Sequence, residues 1–260
     1  METKILGLRK ELFLFLIAFL IYNINLRELT LLTGDTIGAR YTPISIIKEF
    51  DLYLDEFPHL YLSQANKNYQ YIQASRGHYI SAYPVMIPIL AVPVYFIPVV
   101  MGIPSYGIFV DMMSKIAASI FVALSVSFIF SACKYLIEEK ASFYIAILYA
   151  FATSSWSISS QGLWQHGPSQ LFLAITLYFL LRGLKENRFI LYAGISAGIA
   201  LTCRSVNAVT IFFLLLYVAD KQRKYFLKFI LPVISFAVFL ISYNFFFFNQ
   251  KNSSMLCIGV

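Results

Sequence analysis

Seven apolar runs, separated by short charged connections, set the limits on what this chain can become. They cover residues 12–32, 112–133, 141–156, 168–181, 189–203, 207–219 and 226–248. Hydrophobic residues make up 59% of the chain and charged residues 13%. A soluble domain carries about twice that charged share. The surplus apolar surface has to meet lipid, so an all-α, polytopic integral membrane protein is expected.

The connections fix a direction. Lys4, Arg9 and Lys10 precede the first run, and the segments Lys134–Lys140, Arg182–Arg188 and Asp220–Lys228 are basic. Cytoplasmic loops are enriched in Lys and Arg, so these ends are placed together on the cytoplasmic side with the N-terminus. An even number of crossings must then lie before Lys134, and the runs 12–32 and 112–133 supply two. The stretch 84–104, with Pro84, Pro88, Pro93, Pro98 and Pro104, is left as a re-entrant or interfacial segment on the outer side. About seven transmembrane helices result, and the first is read as uncleaved because no small-residue cleavage site follows it. The runs 189–203 and 207–219 are short for a bilayer, so that hairpin is expected to be partly buried in protein. Gly194 and Gly198 give it a small face for close helix packing.

The net charge of +7 lies in these connections, not in a groove or reader motif, which argues against nucleic acid. Cys133, Cys203 and Cys257 are scattered without metal-ligand spacing and read as packing residues. No Walker loop, GxSxG, HExxH or Rossmann fingerprint is present.

The first outer loop, 33–111, holds most of the acidic residues that could do chemistry. Thr42-Pro43 reads as a helix start, with Ile44, Ile47, Phe50 and Leu54 on one face against Lys48, Asp51 and Asp55 on another. An amphipathic helix on the membrane surface, ending at Pro58, is expected. Asp35 follows Gly34 just past the first run, where a carboxylate can serve as a general base or simply as a cap or solvated acid. Asp51, Asp55 and Glu56 repel one another mildly, and either Lys48 or a divalent cation would relieve them. Asp111 and Lys115, four apart, read as a local ion pair.

Two further groups fall on the same outer side. His166 stands at the mouth of a helix and is placed to bind a phosphate, a sugar or a metal, or to be hydrated. Arg204 lies between two apolar runs, where a guanidinium pairs with an anion or a carboxylate. Trp156 and Trp164 mark the interface near His166.

Four stretches, in this order, carry a resemblance: GDTIGARYTPISIIKEFDLYLDEF, GHYISAYPVMIPILAVPVY, ATSSWSISSQGLWQHGPSQLFLAITLYFLLRG and AGISAGIALTCRSVNAV. Together they resemble bacterial polytopic GT-C glycosyltransferases, relatives of protein O-mannosyltransferases and lipid A aminoarabinose transferases. The resemblance implies transfer of a sugar from a polyprenyl-phosphate donor to an extracytoplasmic glycan, lipid or protein acceptor, with inversion at the anomeric carbon. It implies that Asp35 is the catalytic acid-base residue, and that Arg204, with Arg40 or His166, holds the lipid phosphate. It also implies an acid before the fourth helix, where this sequence has His166. Residues 1–249 then form one GT-C-like module in the inner (plasma) membrane. The tail 250–260 departs from the pattern and reads as a truncation that leaves the chain inactive alone. Two rival readings stand beside this one. One is a transporter or flippase for a lipid-linked or anionic substrate; the other is a non-catalytic assembly or sensor protein.

Overall fold

The computed structural model describes residues 2–24, 34–62 and 71–248, with side chains from Lys10 onward. The first run forms α1 (Glu2–Tyr22), which begins nearly three turns earlier than its apolar character alone implies. The rest of that run, from 25 to 32, and the atypical tail lie outside the described residues. Seven longer helices come after α1, the first of them still within the outer loop: α4 (Met86–Val100), α5 (Ile108–Cys133), α6 (Glu139–Phe151), α7 (His166–Gly183), α8 (Phe189–Cys203), α9 (Asn207–Lys221) and α10 (Phe226–Phe248). Before them, the loop itself holds α2 (Ile37–Lys48), the short α3 (Pro58–Leu62), and strands β1 (Ile72–Ser75) and β2 (His78–Ser81).

The helix α5 is the centre post. Ala117, Ala118, Ser119, Ala123 and Ser125 are all buried, and their small side chains let neighbours approach from several directions. α1 and α6 pack on one side through Leu14, Ala18, Val122, Val126 and Ala146. On another side α7 packs, and α8 packs on α7 in turn. α8 then meets α10 at very short range. A Cβ at Gly194 would stand 2.3 Å from the Phe229 carbonyl oxygen, and one at Gly198 would stand 2.4 Å from the Phe236 ring. The expected small-residue face therefore does bring helices together.

The outer faces are apolar. Leu12, Leu16 and Leu20 of α1, Ile145 and Leu148 of α6, Phe212, Phe213 and Leu216 of α9, and Leu231, Ile234 and Val238 of α10 are exposed. Patches of this extent mark a surface meant for lipid or for another protein. Two helical stretches, Ile108–Cys133 and Arg223–Phe248, are long and apolar enough to cross a bilayer. At 1.5 Å per residue α5 runs about 39 Å, more than the roughly 30 Å of hydrocarbon it would cross.

Side-chain contacts sort the ends of the helices. Lys10 pairs with Glu139 and Lys134 with Glu11, each at 2.5 Å. Lys185 lies 5.3 Å from the Tyr135 ring centre, and Asn187 donates to the Tyr225 hydroxyl at 2.6 Å. So the start of α1 and the three basic connections gather at one end of the bundle. At the other end Ser75 donates to the Phe247 carbonyl at 2.6 Å, and Arg76 covers the Phe246 ring.

The outer loop departs from expectation in α2 and adds detail at two other points. α2 begins at Ile37, so Thr42-Pro43 is inside it rather than at its start. Thr42 Oγ1 donates to the Gly38 carbonyl at 2.7 Å, a bond that holds the turn in which Pro43 has no N–H to give. The helix stops at Lys48, and Phe50 turns the chain with φ +60°. Asp51 and Asp55 are therefore not helical. Nor does α2 lie on a surface: Tyr41 through Ser45 are all buried, because Gly38 and Ala39 admit β2 and α4 close to its backbone.

The second point is the proline-rich stretch, expected as a re-entrant or interfacial segment, which is a continuous helix. Pro88 sits in the first turn of α4, where no N–H is needed, while Pro93 and Pro98 are accommodated further along. α4 spans about 22 Å, less than the hydrocarbon thickness. Third, the polar and aromatic stretch before it contains an antiparallel hairpin, pairing Ile72 with Ser81 and Ser75 with His78. Arg76 and Gly77 both have positive φ, as the tight turn of a two-residue hairpin requires.

Candidate functional site

Asp35 lies in a 3-10 turn, Gly34–Thr36, immediately before α2. The Tyr71 ring covers Gly34 so closely that a Cβ there would stand 2.0 Å from it, so only glycine fits. Tyr83, which follows the hairpin, donates its hydroxyl hydrogen to Asp35 Oδ1 at 2.7 Å. One carboxylate oxygen is thus oriented by a phenol, and the side chain is exposed to the space beside it.

His166 is the first residue of α7 and stands ahead of the apolar stretch that follows. Burial, and then the nearby Arg204 charge, push its imidazole below the ordinary value. Arg204 ends α8 in an extended conformation, with φ −155° and ψ 111°. Asn207 fixes the turn after it, donating to Ser169 Oγ and to the Ala200 carbonyl, both at 2.7 Å. α7 and the α8–α9 turn are therefore tied together, and Arg204 is carried to the mouth of α7. Among the described residues no salt bridge neutralises Arg204.

Asp35, Trp164, Gln165, His166 and Arg204 line one cavity of about 210 Å³. His166 and Arg204 also line a second, larger one of about 600 Å³. From that mouth the second cavity follows α7 through His166, Ser169, Gln170, Leu173, Ala174 and Leu177. These positions share one helix face. They change from polar to apolar over about 16 Å of helix. Ile129 of α5 and Leu214 of α9 close the deeper part. So a polar chamber containing a carboxylate opens, past a cation and a half-buried imidazole, into an apolar groove.

Three of the sequence-derived candidates, Asp35, His166 and Arg204, are therefore brought together. The others are not. Arg40 forms a half-buried ion pair with Asp111 and lines neither cavity. That pair displaces the expected Asp111–Lys115 contact; Lys115 is buried and donates instead to Gln161 Oε1. Asp51 Oδ1 accepts from the Tyr53 amide at 3.0 Å. Asp55 accepts from the Tyr79 amide at 2.8 Å and contacts His78 Nδ1 at 2.6 Å. Glu56 accepts from Ser45 Oγ, and Lys48 donates to Ser105 Oγ. Each acid is engaged separately. Among the described residues no three His, Cys, Asp or Glu side chains converge to hold a metal ion, so Asp51, Asp55 and Glu56 do not form a donor set for a divalent cation.

Sequence reasoning missed Tyr83, Trp164, Gln165 and the groove. In the sequence Trp164 carries only the signal of an interfacial anchor. The groove had a legible signal, since His166, Ser169, Gln170, Leu173 and Leu177 recur at helical spacing.

Comparison with known proteins bears on the same residues. No curated protein and no solved structure matches the chain. A family match does exist, to the dolichyl-phosphate-mannose-protein mannosyltransferases, over residues 92–246. It takes in most of α4 and nearly all of α10, and it includes His166, Arg204 and the groove, while Asp35 lies before it. That match spans well over half of the chain, and the chain therefore belongs to this family of membrane glycosyltransferases, which use a polyprenyl-phosphate-linked sugar as donor.

Proposed function

We propose that the chain transfers a sugar from a polyprenyl-phosphate donor to an acceptor hydroxyl on the extracytoplasmic side of the membrane. The observation that carries this reading is the pair His166 and Arg204, shared by a polar chamber and an apolar groove. A donor of this class has the same three parts in the same order: a sugar, an anionic phosphate and a hydrocarbon chain. The sugar would occupy the Asp35 chamber, the phosphate would lie against Arg204 and His166, and the first isoprene units would follow α7. Mannose, which the family description names, is the first sugar to test.

The chemistry follows from these positions. The acceptor oxygen attacks the anomeric carbon as the bond from that carbon to the phosphate oxygen breaks, and the configuration inverts. Asp35 takes the proton of the acceptor hydroxyl, with Tyr83 holding the carboxylate in place. The bonding electrons leave with the phosphate. Arg204 meets the growing charge with a planar pair of donors, and neutral His166 adds one N–H. The N-terminal end of α7 contributes partial positive charge at the same point. No general acid is needed, because a phosphate leaves without protonation.

The orientation is part of the proposal. The basic connections and the start of α1 gather at the end of the bundle opposite Asp35. Positive loops face the cytoplasm, so the chamber faces outward, in a bacterial inner membrane. About seven crossings accommodate both groupings. The test is transfer from synthetic polyprenyl-phosphate-mannose to a hydroxyl acceptor by the purified full chain. Asp35→Asn should abolish transfer while leaving donor binding unchanged. Undiminished turnover by Asp35→Asn would remove Asp35 from the role of base.

A further inference from the structure

The end of the bundle opposite Asp35 carries a further cavity with a chemistry of its own. It holds about 330 Å³ between the turn after α7 and the turn after α9. Asn187 lines one side; Asp220, Lys221, Arg223, Lys224 and Tyr225 line the other. Its floor is Gln222, which is only 7% exposed. Neither Gln222 Nε2 nor Oε1 has a hydrogen-bond partner among the described residues. An amide removed from water and left unpaired on both atoms is costly, and structures rarely keep one without an occupant for it.

The backbone around Gln222 is held firmly. Its N–H donates to the Val218 carbonyl at 2.9 Å, and its carbonyl accepts from the Tyr225 amide at 2.8 Å. Asn187 closes the cavity by donating to the Tyr225 hydroxyl. The charges are unevenly satisfied. Asp220 pairs with Lys221 at 2.9 Å, while Arg223 and Lys224 have no acidic partner among the described residues. Their ammonium and guanidinium groups call for an anion. Gln222 Nε2 calls for an acceptor, and Gln222 Oε1 for a donor.

We propose that this cavity binds the headgroup of an anionic phospholipid that carries both a phosphate and a hydroxyl, as phosphatidylglycerol does. The phosphate would meet Arg223, Lys224 and Gln222 Nε2, and the hydroxyl would donate to Gln222 Oε1. Free phosphate would satisfy the cations but not the Oε1 atom. The apolar rim favours a lipid as well: Leu184, Leu227 and Leu231 are exposed beside the site and along α10, where acyl chains would lie. Basic pockets between membrane helices on the cytoplasmic side have this use. None of these side chains lines the Asp35 chamber or its groove, so the inference stands or falls separately from the transferase reading.

The experiment measures lipid retained by the purified full chain in native mass spectrometry. Phosphatidylglycerol, phosphatidylcholine and phosphatidic acid are titrated in turn, with inorganic phosphate as competitor. The wild type should retain phosphatidylglycerol in preference to phosphatidylcholine, and inorganic phosphate should not displace it. Arg223→Gln and Lys224→Gln should each weaken retention roughly fivefold. Gln222→Leu should erase the preference for phosphatidylglycerol over phosphatidic acid. Gln222→Glu, nearly isosteric and anionic, should expel the lipid even if the leucine variant does not fold. Equal retention of phosphatidylglycerol and phosphatidylcholine by the wild type would overturn the proposal. So would displacement by inorganic phosphate, which would make this a phosphate site, or unchanged retention in Gln222→Glu.

Discussion

Tyr83 and Asp35, far apart in sequence, meet through a 2.7 Å hydrogen bond from the phenol to the carboxylate. The hairpin between them brings this about, because it folds the chain back onto the turn that carries Asp35. Tyr83→Phe removes the bond but leaves the ring. It should lower kcat about tenfold with little change in KM, whereas removing the base itself should cost about a thousandfold. Steady-state kinetics on the two variants checks the difference.

The groove makes a claim about chain length. Ala174 is buried and lines it about two turns below His166 at the polar mouth. Ala174→Phe should obstruct hydrocarbon there. The variant should lose about tenfold in kcat/KM toward a long-chain donor and much less toward a donor with a single isoprene unit. An equal loss toward both donors would place the hydrocarbon elsewhere.

His166 makes a claim about pH. Its imidazole is held below the ordinary 6.5, chiefly by burial and then by Arg204. The unfolded chain therefore binds this proton more readily than the folded one. The stability that neutral His166 contributes is complete above pH 6.5 and is lost as pH falls toward its own lower value. Tm should drop across that window, and it should drop less in His166→Gln. Thermal unfolding of both proteins between pH 7.5 and about pH 5 reads the difference.

Gly194 and Gly198 make unequal claims, although both lie on the α8 face toward α10. The neighbour of Gly194 is the Phe229 backbone carbonyl, which cannot move without shifting α10. The neighbour of Gly198 is the Phe236 ring, which can turn. Gly194→Ala should destabilise by about 1–3 kcal/mol and Gly198→Ala by less. Comparing the two unfolding curves in one detergent tests the order.

The apolar helices were the most legible part of the molecule. The runs 189–203 and 226–248 coincide with α8 and α10, because basic turns and a break at Arg204 bound them on both sides. The outer loop was less legible. Thr42-Pro43 has the chemistry of a helix start, but tertiary packing over Gly38 and Ala39 extended the helix backwards past it. The hairpin had a local signal in Arg76-Gly77, hidden in a polar and aromatic stretch without clear alternation. Asp35, His166 and Arg204 could be placed on one side from the basic loops alone. Their meeting in one chamber could not, since it depends on Asn207 tying the α8–α9 turn to α7. The partners of Arg40 and Lys115 were illegible for a related reason: both lie far along the chain, which spacing does not reveal.

The most direct test concerns Arg204, one of the two residues common to both cavities. Binding of polyprenyl-phosphate-mannose to the purified full chain should be measured at equilibrium for the wild type, Asp35→Asn, Arg204→Lys and Arg204→Gln. The account predicts that Asp35→Asn binds donor as the wild type does. Arg204→Gln should bind about a hundredfold more weakly, and Arg204→Lys should fall between them, since it keeps the charge without the planar fork. Wild-type affinity in Arg204→Gln would contradict the account, because the phosphate would then be held by something other than the junction between chamber and groove.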